Sequence, residues 1–226
     1  MTDPVPLPGG RDARGALDVA TAVEGGSGAS SAAAACVVAC PPHPQHGGHR
    51  ADHRLRAVSD ELVAAGSDCF RFDYGPWDGG RGERADALHA VEWASHRYDR
   101  VALFGYSFGA AVAVSAAARG ADVTAVAAVA PPASVGSARD GESPDDVGGV
   151  DTVAALESLP ASLPVGVFYG SRDDAAAVGP VVDAARERDA TVREFAAGHD
   201  FVGRERDVAA AVVAFLRPGL DPDGSR

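Results

Sequence analysis

The chain has 226 residues and a mass of 22.9 kDa, room for one α/β domain and too little for a two-domain enzyme. With 46% hydrophobic and 23% charged residues the composition is that of an ordinary globular core, which excludes a disordered chain or a disulfide-stapled miniprotein. The formal charge of -12 would repel phosphate backbones and anionic lipid surfaces, so neither nucleic acid nor a membrane is expected as a partner.

Residues 15–24 and 32–40 read as strands, joined by the turn-forming Gly-Gly-Ser-Gly-Ala-Ser-Ser of 25–31. A helix follows over 51–65, where Leu55, Val58, Leu62 and Val63 recur at helical spacing. The pattern then alternates: a strand at 68–73, a helix at 83–97, a strand at 100–104, a small-residue helix at 108–119 and a strand at 122–130. An irregular stretch over 132–150 leads into a short helix near 151–158. A strand at 164–169, a helix near 176–189, a strand at 191–195 and a helix at 203–216 complete the order. The reading is a single domain over 1–226, with 1–9 and 218–226 expected to fray.

Repeated β–α units of this length predict a mostly parallel sheet with helices on both faces and right-handed crossovers. Ligands in such sheets bind beyond the carboxyl ends of the strands. No period of 20–50 residues recurs, which excludes a solenoid.

The first fifteen residues carry prolines and acids where a secretory signal needs a basic start and an apolar stretch, so a cytoplasmic protein is expected. The longest apolar runs, 32–40 and 125–132, fall short of the ~18–20 residues that span a bilayer. Cys36 and Cys40 would lie roughly 13 Å apart along one strand, too far to bridge, and three buried thiols in a reducing compartment are expected. The basic side chains are 20 Arg and no Lys, and 23 Asp stand against 9 Glu. Such a surface reads as halophilic, resembling haloarchaeal proteins, with a GC-rich genome as the competing explanation.

Gly105-Tyr106-Ser107-Phe108-Gly109 lies where an apolar strand gives way to an alanine-rich helix. A serine on such a turn is forced into strained backbone geometry, and glycines two residues to either side leave room for strand and helix to meet. Oγ is then lifted above the sheet at a helix N-terminus. There the dipole and the Phe108 N–H favour negative charge on a substrate oxygen.

A serine hydroxyl needs a base, and the base needs an orienting acid, expected downstream in the order Ser, acid, His. One strand runs into Ser171-Arg172-Asp173-Asp174 and a later one into Gly198-His199-Asp200-Phe201; His199 is the only histidine after Ser107. Asp173 is favoured over Asp174, which stands closer to the following helix and suits its cap. A second oxyanion donor is expected from the loop Pro41-Pro42-His43-Pro44-Gln45-His46-Gly47-Gly48-His49, with the Gln45 N–H as the pattern-based choice and His43 shaping the loop.

With these residues in view, the chain resembles the α/β-hydrolase superfamily, and within it a small lidless branch with an H-P-x-x-G-G loop, described as dienelactone-hydrolase-like or predicted esterases. The resemblance covers residues 10–216. It rests on a G-x-L-D start at Gly15, HPQHGG, FRFD with a glycine-rich loop after it, GYSFG, GSRD and GHDF. It implies the α/β-hydrolase fold with a minimal cap, Ser107–Asp173–His199 as a catalytic triad, a small-molecule acyl substrate and no cofactor. Departures occur in two loops: Pro41-Pro42-His43-Pro44 stands where the branch commonly has His-Pro-His-Pro, and residues 74–80 replace an Arg-Gly-x-Gly-x-Ser loop. Both bear on substrate preference. A serine at 107 argues against dienelactone hydrolysis itself, which uses a cysteine.

His43, His46, His49 and His53 stand at spacings that would let imidazoles share a zinc ion, but no Cys or Glu completes a ligand set and no metal is expected. The acidic stretch 139–151 lacks the spacing of a calcium loop and reads as a solvated connector. Trp77 and Phe108 are candidates for the wall of an acyl pocket, with core packing as the alternative. The expected reaction is hydrolysis of a carboxylic ester through an acyl-enzyme. A thioesterase or peptidase with the same triad, and a non-catalytic binding protein, are the rivals.

Overall fold

The computed structural model describes residues 4–20, 34–135 and 149–221. Its strands are β1 (Val5–Pro6), β2 (Arg14–Asp18), β3 (Ala35–Cys40), β4 (Asp68–Asp73), β5 (Arg100–Tyr106), β6 (Val126–Val129), β7 (Ser134–Val135), β8 (Val150–Asp151), β9 (Val165–Gly170) and β10 (Thr191–Phe195). The helices are α1 (His53–Ala64), α2 (Arg81–Ser95), α3 (Phe108–Ala118), α4 (Thr152–Ser158), α5 (Gly179–Glu187) and α6 (Glu205–Leu220). Eight strands form one sheet in the order β1-β2-β4-β3-β5-β6-β9-β10, antiparallel at β1–β2 and β2–β4 and parallel from β4 onward. Short β7 and β8 pair separately.

Alternation along the strands divides the interior into two cores, one on each face of the sheet. Cys36, Val38 and Cys40 of β3, with Val101 and Leu103 of β5, pack against α2, α3 and α5. Val37 and Ala39 of β3, with Ala102, Phe104 and Tyr106 of β5, pack against α1 and α6. Helix α3 is buried on nearly every side, which explains why its sequence is small and apolar all round rather than amphipathic. All three cysteines are buried and unbridged. Cys69 lies in the opposite core from Cys36 and Cys40, so the sheet itself separates the thiols.

Three expectations need correction. Pro6 and Val5 pair with β2 instead of fraying, because an edge strand tolerates proline, and Leu7 beyond it is buried. Helix α6 continues through Pro218 to Leu220: a proline in the last turn disturbs few intrahelical bonds, and burial of Leu216 and Leu220 holds the turn in place. The strand expected at 122–130 is regular only over β6, although the Thr124 and Ala130 N–H groups flanking it already donate to the Val101 and Phe168 carbonyls of the neighbouring strands. The turn expected at 25–31 and most of the connector 132–150 lie outside the described residues. Among the described residues no helix is long and apolar enough to cross a membrane.

Candidate active site

Strand β5 lies at the centre of the sheet, and Ser107 follows its last residue as the N-cap of α3. Its backbone sits at φ 54, ψ -121, a conformation costing a non-glycine residue about 1–3 kcal/mol. The turn is held by the Ser107 N–H, which donates to the Val129 carbonyl at 2.8 Å, and by the Ser107 carbonyl, which accepts from the Ala110 N–H at 2.9 Å. The flanking glycines are sterically required. A Cβ on Gly105 would lie 2.1 Å from the Gly109 carbonyl oxygen, and one on Gly109 would lie 2.1 Å from that of Cys40. Because both obstacles are backbone, Gly109→Ala is expected to cost about 1–3 kcal/mol, several degrees in thermal midpoint, and to displace the end of β3. Thermal unfolding of the variant checks this; an unchanged midpoint would contradict it.

The acid and the histidine come from neighbouring strand ends. Parallel pairing of β9 with β10 continues into their loops through Ser171 N–H to Phe195 carbonyl at 2.8 Å and Arg172 N–H to Ala197 carbonyl at 2.9 Å. Gly170 permits this approach, since a Cβ there would lie 2.5 Å from the Ala197 carbonyl oxygen. His199 Nε2 stands 3.0 Å from Ser107 Oγ and His199 Nδ1 stands 2.8 Å from Asp173 Oδ2. The Asp173 side chain is fully buried, and its other oxygen accepts the Ala175 and Ala176 N–H groups at 3.1 and 3.0 Å. Asp174, the alternative, is exposed. A carboxylate locked by two backbone amides directs its second oxygen at Nδ1. The Nδ1–H tautomer is thereby favoured and Nε2 is left to accept the serine proton.

Phe108 is the first residue of α3, where an N–H has no acceptor within its own helix and points beyond the N-terminus beside Ser107. The Gln45 N–H, expected as the second donor, is directed elsewhere. Gln45 is exposed, and its N–H is turned into its own loop, donating to His43 Nδ1 at 3.2 Å. Pro41, Pro42 and Pro44 have no N–H, so within 41–45 the remaining backbone donor belongs to His43. Burial, aided by the neighbouring His46, lowers the His43 imidazole from its ordinary value and so favours the neutral ring that an Nδ1 acceptor must be.

His43 also belongs to an aromatic cluster beside the serine. Its ring lies 4.4 Å from that of Trp77, 4.5 Å from His46 and 4.9 Å from Phe108, centroid to centroid. Phe108 is buried at the base and Trp77 half-buried above it. The 74–80 loop carrying Trp77 is secured from beneath by two buried carboxylates: Glu83 accepts the Asp78 and Gly80 N–H groups, and Asp86 accepts the Gly75 N–H and the Arg11 guanidinium. Tyr74 ties this loop to the other by donating to the Pro41 carbonyl at 3.2 Å.

Sequence reasoning missed a group of residues on the far side of His199: Arg54, Tyr106 and Asp200. Their contacts span up to 146 positions, and no spacing rule pairs them.

No protein-family model matches the chain, and no curated relative matches it. Solved structures do. A serine hydrolase without lid from Xanthomonas campestris shares 23% identity over 95% of this chain and 93% of its own, with a TM-score of 0.72. Dienelactone hydrolase from Anabaena variabilis shares 19% over 98% of each chain at a TM-score of 0.72. An esterase from Pyrococcus furiosus shares 16% over 84% of each at 0.68. The chain therefore has the α/β-hydrolase fold.

Proposed function

We propose that the protein is a serine hydrolase acting on carboxylic esters of small, soluble acyl groups. The observation that carries this reading is the unbroken hydrogen-bonded line from buried Asp173 through His199 to a strained, outward-facing Ser107. Ser107 Oγ attacks the ester carbonyl carbon while His199 Nε2 takes its proton. The oxyanion is received by the N–H of Phe108 and, in our assignment, that of His43. Collapse expels the alcohol, which takes its proton from His199, and leaves an acyl group on Ser107. Water, deprotonated by His199, then attacks the acyl carbon, and the acid leaves as the Ser107 hydroxyl regains its proton. The serine-hydrolase and esterase names of the structural neighbours agree with this reading.

Only 35 residues, 130–164, separate β6 from β9, which supports a small cap and an open site. Short acyl chains are therefore expected to be turned over faster than long ones. A panel of p-nitrophenyl esters from acetate to palmitate checks this, and a kcat/KM that rises with chain length would contradict it. The acidic, lysine-free surface supports a halophilic protein, whose thermal midpoint is expected to rise on transfer to molar KCl as like-charge repulsion is screened. A midpoint that falls would sink that part of the proposal.

A further inference from the structure

We infer that Arg54, Tyr106 and Asp200 form a positioning network that holds the backbone of His199, so that its ring meets Ser107 in register. The inference rests on the reading of Ser107 as nucleophile.

Tyr106 is the last residue of β5. Strand alternation turns its ring onto the face opposite Gly105, where it is buried beside α1 and α6 at 2% exposure. A buried phenol needs partners for its hydroxyl. The Tyr106 hydroxyl accepts from Arg54 Nη1 at 2.8 Å and lies 3.1 Å from the His199 carbonyl and 3.2 Å from Asp200 Oδ1. The hydroxyl proton faces both acceptors, the His199 carbonyl at the shorter distance, and Asp200 Oδ1 also receives Arg54 Nη1 at 2.6 Å. The residue before the nucleophile thus grips the residue carrying the base.

The guanidinium is itself fixed. Asp52, the N-cap of α1, accepts Arg54 Nε at 3.0 Å on one oxygen and Nη2 at 2.6 Å on the other, a two-point grip that leaves Nη1 facing the phenol. The guanidinium carbon lies 4.1 Å from the centre of the Tyr106 ring. Burial works against the charge on Arg54, but the bonds to Asp52 and Asp200 outweigh it and keep the group cationic. Burial likewise keeps the Tyr106 phenol protonated, despite the cation beside it, and so able to donate. On the far side of His199 the chain is anchored by Phe201, buried at φ 51. Between Phe201 and the strand end, the His199 carbonyl has one hydrogen-bond partner among the described residues, the Tyr106 hydroxyl.

The test uses Tyr106→Phe, Arg54→Met and the double variant, each assayed per active site by burst titration with a fluorophosphonate. Tyr106→Phe keeps the ring and removes the hydroxyl. It is expected to lower kcat on a short-chain ester about 5–20-fold with KM within about 2-fold, and to slow phosphonylation of Ser107 by the same factor. The double variant should be no slower than the slower single one, because both act through one hydroxyl. A merely structural role would reduce the number of titratable sites and leave kcat per site unchanged, and that result overturns the inference. So does strict multiplication of the two single effects. A wild type that takes no adduct at Ser107 overturns the nucleophile reading itself, and this inference with it.

Discussion

Replacing Ser107 with alanine is expected to lower kcat for ester hydrolysis by about 10⁴–10⁶-fold while leaving the fold intact. The size of the effect follows from the units that act together: without Oγ, the His199 base has no proton to remove and no acyl-enzyme forms. What remains, under the proposed assignment, is the stabilisation that the Phe108 and His43 amides would give to direct attack by water. Stability should change little, because alanine inherits the same backbone conformation at φ 54 and its methyl occupies space the hydroxymethyl already filled. Glycine at 107 makes a useful contrast. It should be equally inactive yet more stable than alanine, since it adopts this conformation without strain. Steady-state kinetics and thermal unfolding of the two variants check both statements; residual activity within tenfold of wild type in either would be the contrary result.

The second large effect is expected at Asp173. Asparagine is nearly isosteric there, but it presents one acceptor where the site uses two. The Ala175 and Ala176 N–H groups at one oxygen would claim the amide carbonyl, which turns the NH2 group toward His199 Nδ1. That nitrogen must then accept, so the ring proton moves to Nε2 and faces Ser107 Oγ, leaving no base. A loss of about 10³–10⁴-fold in kcat with little change in KM follows, whereas Asp174→Asn, at an exposed position, should stay within about 2-fold of wild type. Equal losses in the two variants, or the reverse order, would contradict the assignment.

Much of this arrangement was legible in the chain because local rules and the fold agree at the proposed site. Apolar runs ending in Gly105 and Gly170 mark buried strands, Phe195 ends the exposed edge strand, and the loops after all three carry Ser107, Asp173 and His199 in the expected order. The errors have physical causes. The Gln45 amide was misjudged because the loop pattern says nothing of side-chain acceptors, and here the His43 ring folds back to claim that N–H. The paired ends at Pro6 and Leu220 were missed because proline is read locally as a breaker, while an edge register and a buried leucine decided the outcome. The Arg54–Tyr106–Asp200 contacts were invisible for a third reason: they join a helix start, a strand end and a late loop that meet only in the folded sheet.

The measurement that bears most directly on the central claim is mass-spectrometric location of a fluorophosphonate adduct on the wild-type protein. The account predicts one stoichiometric adduct on the peptide carrying Ser107, absent from Ser107→Ala and formed far more slowly in Asp173→Asn. Labelling at another serine, or none on folded protein, would contradict it.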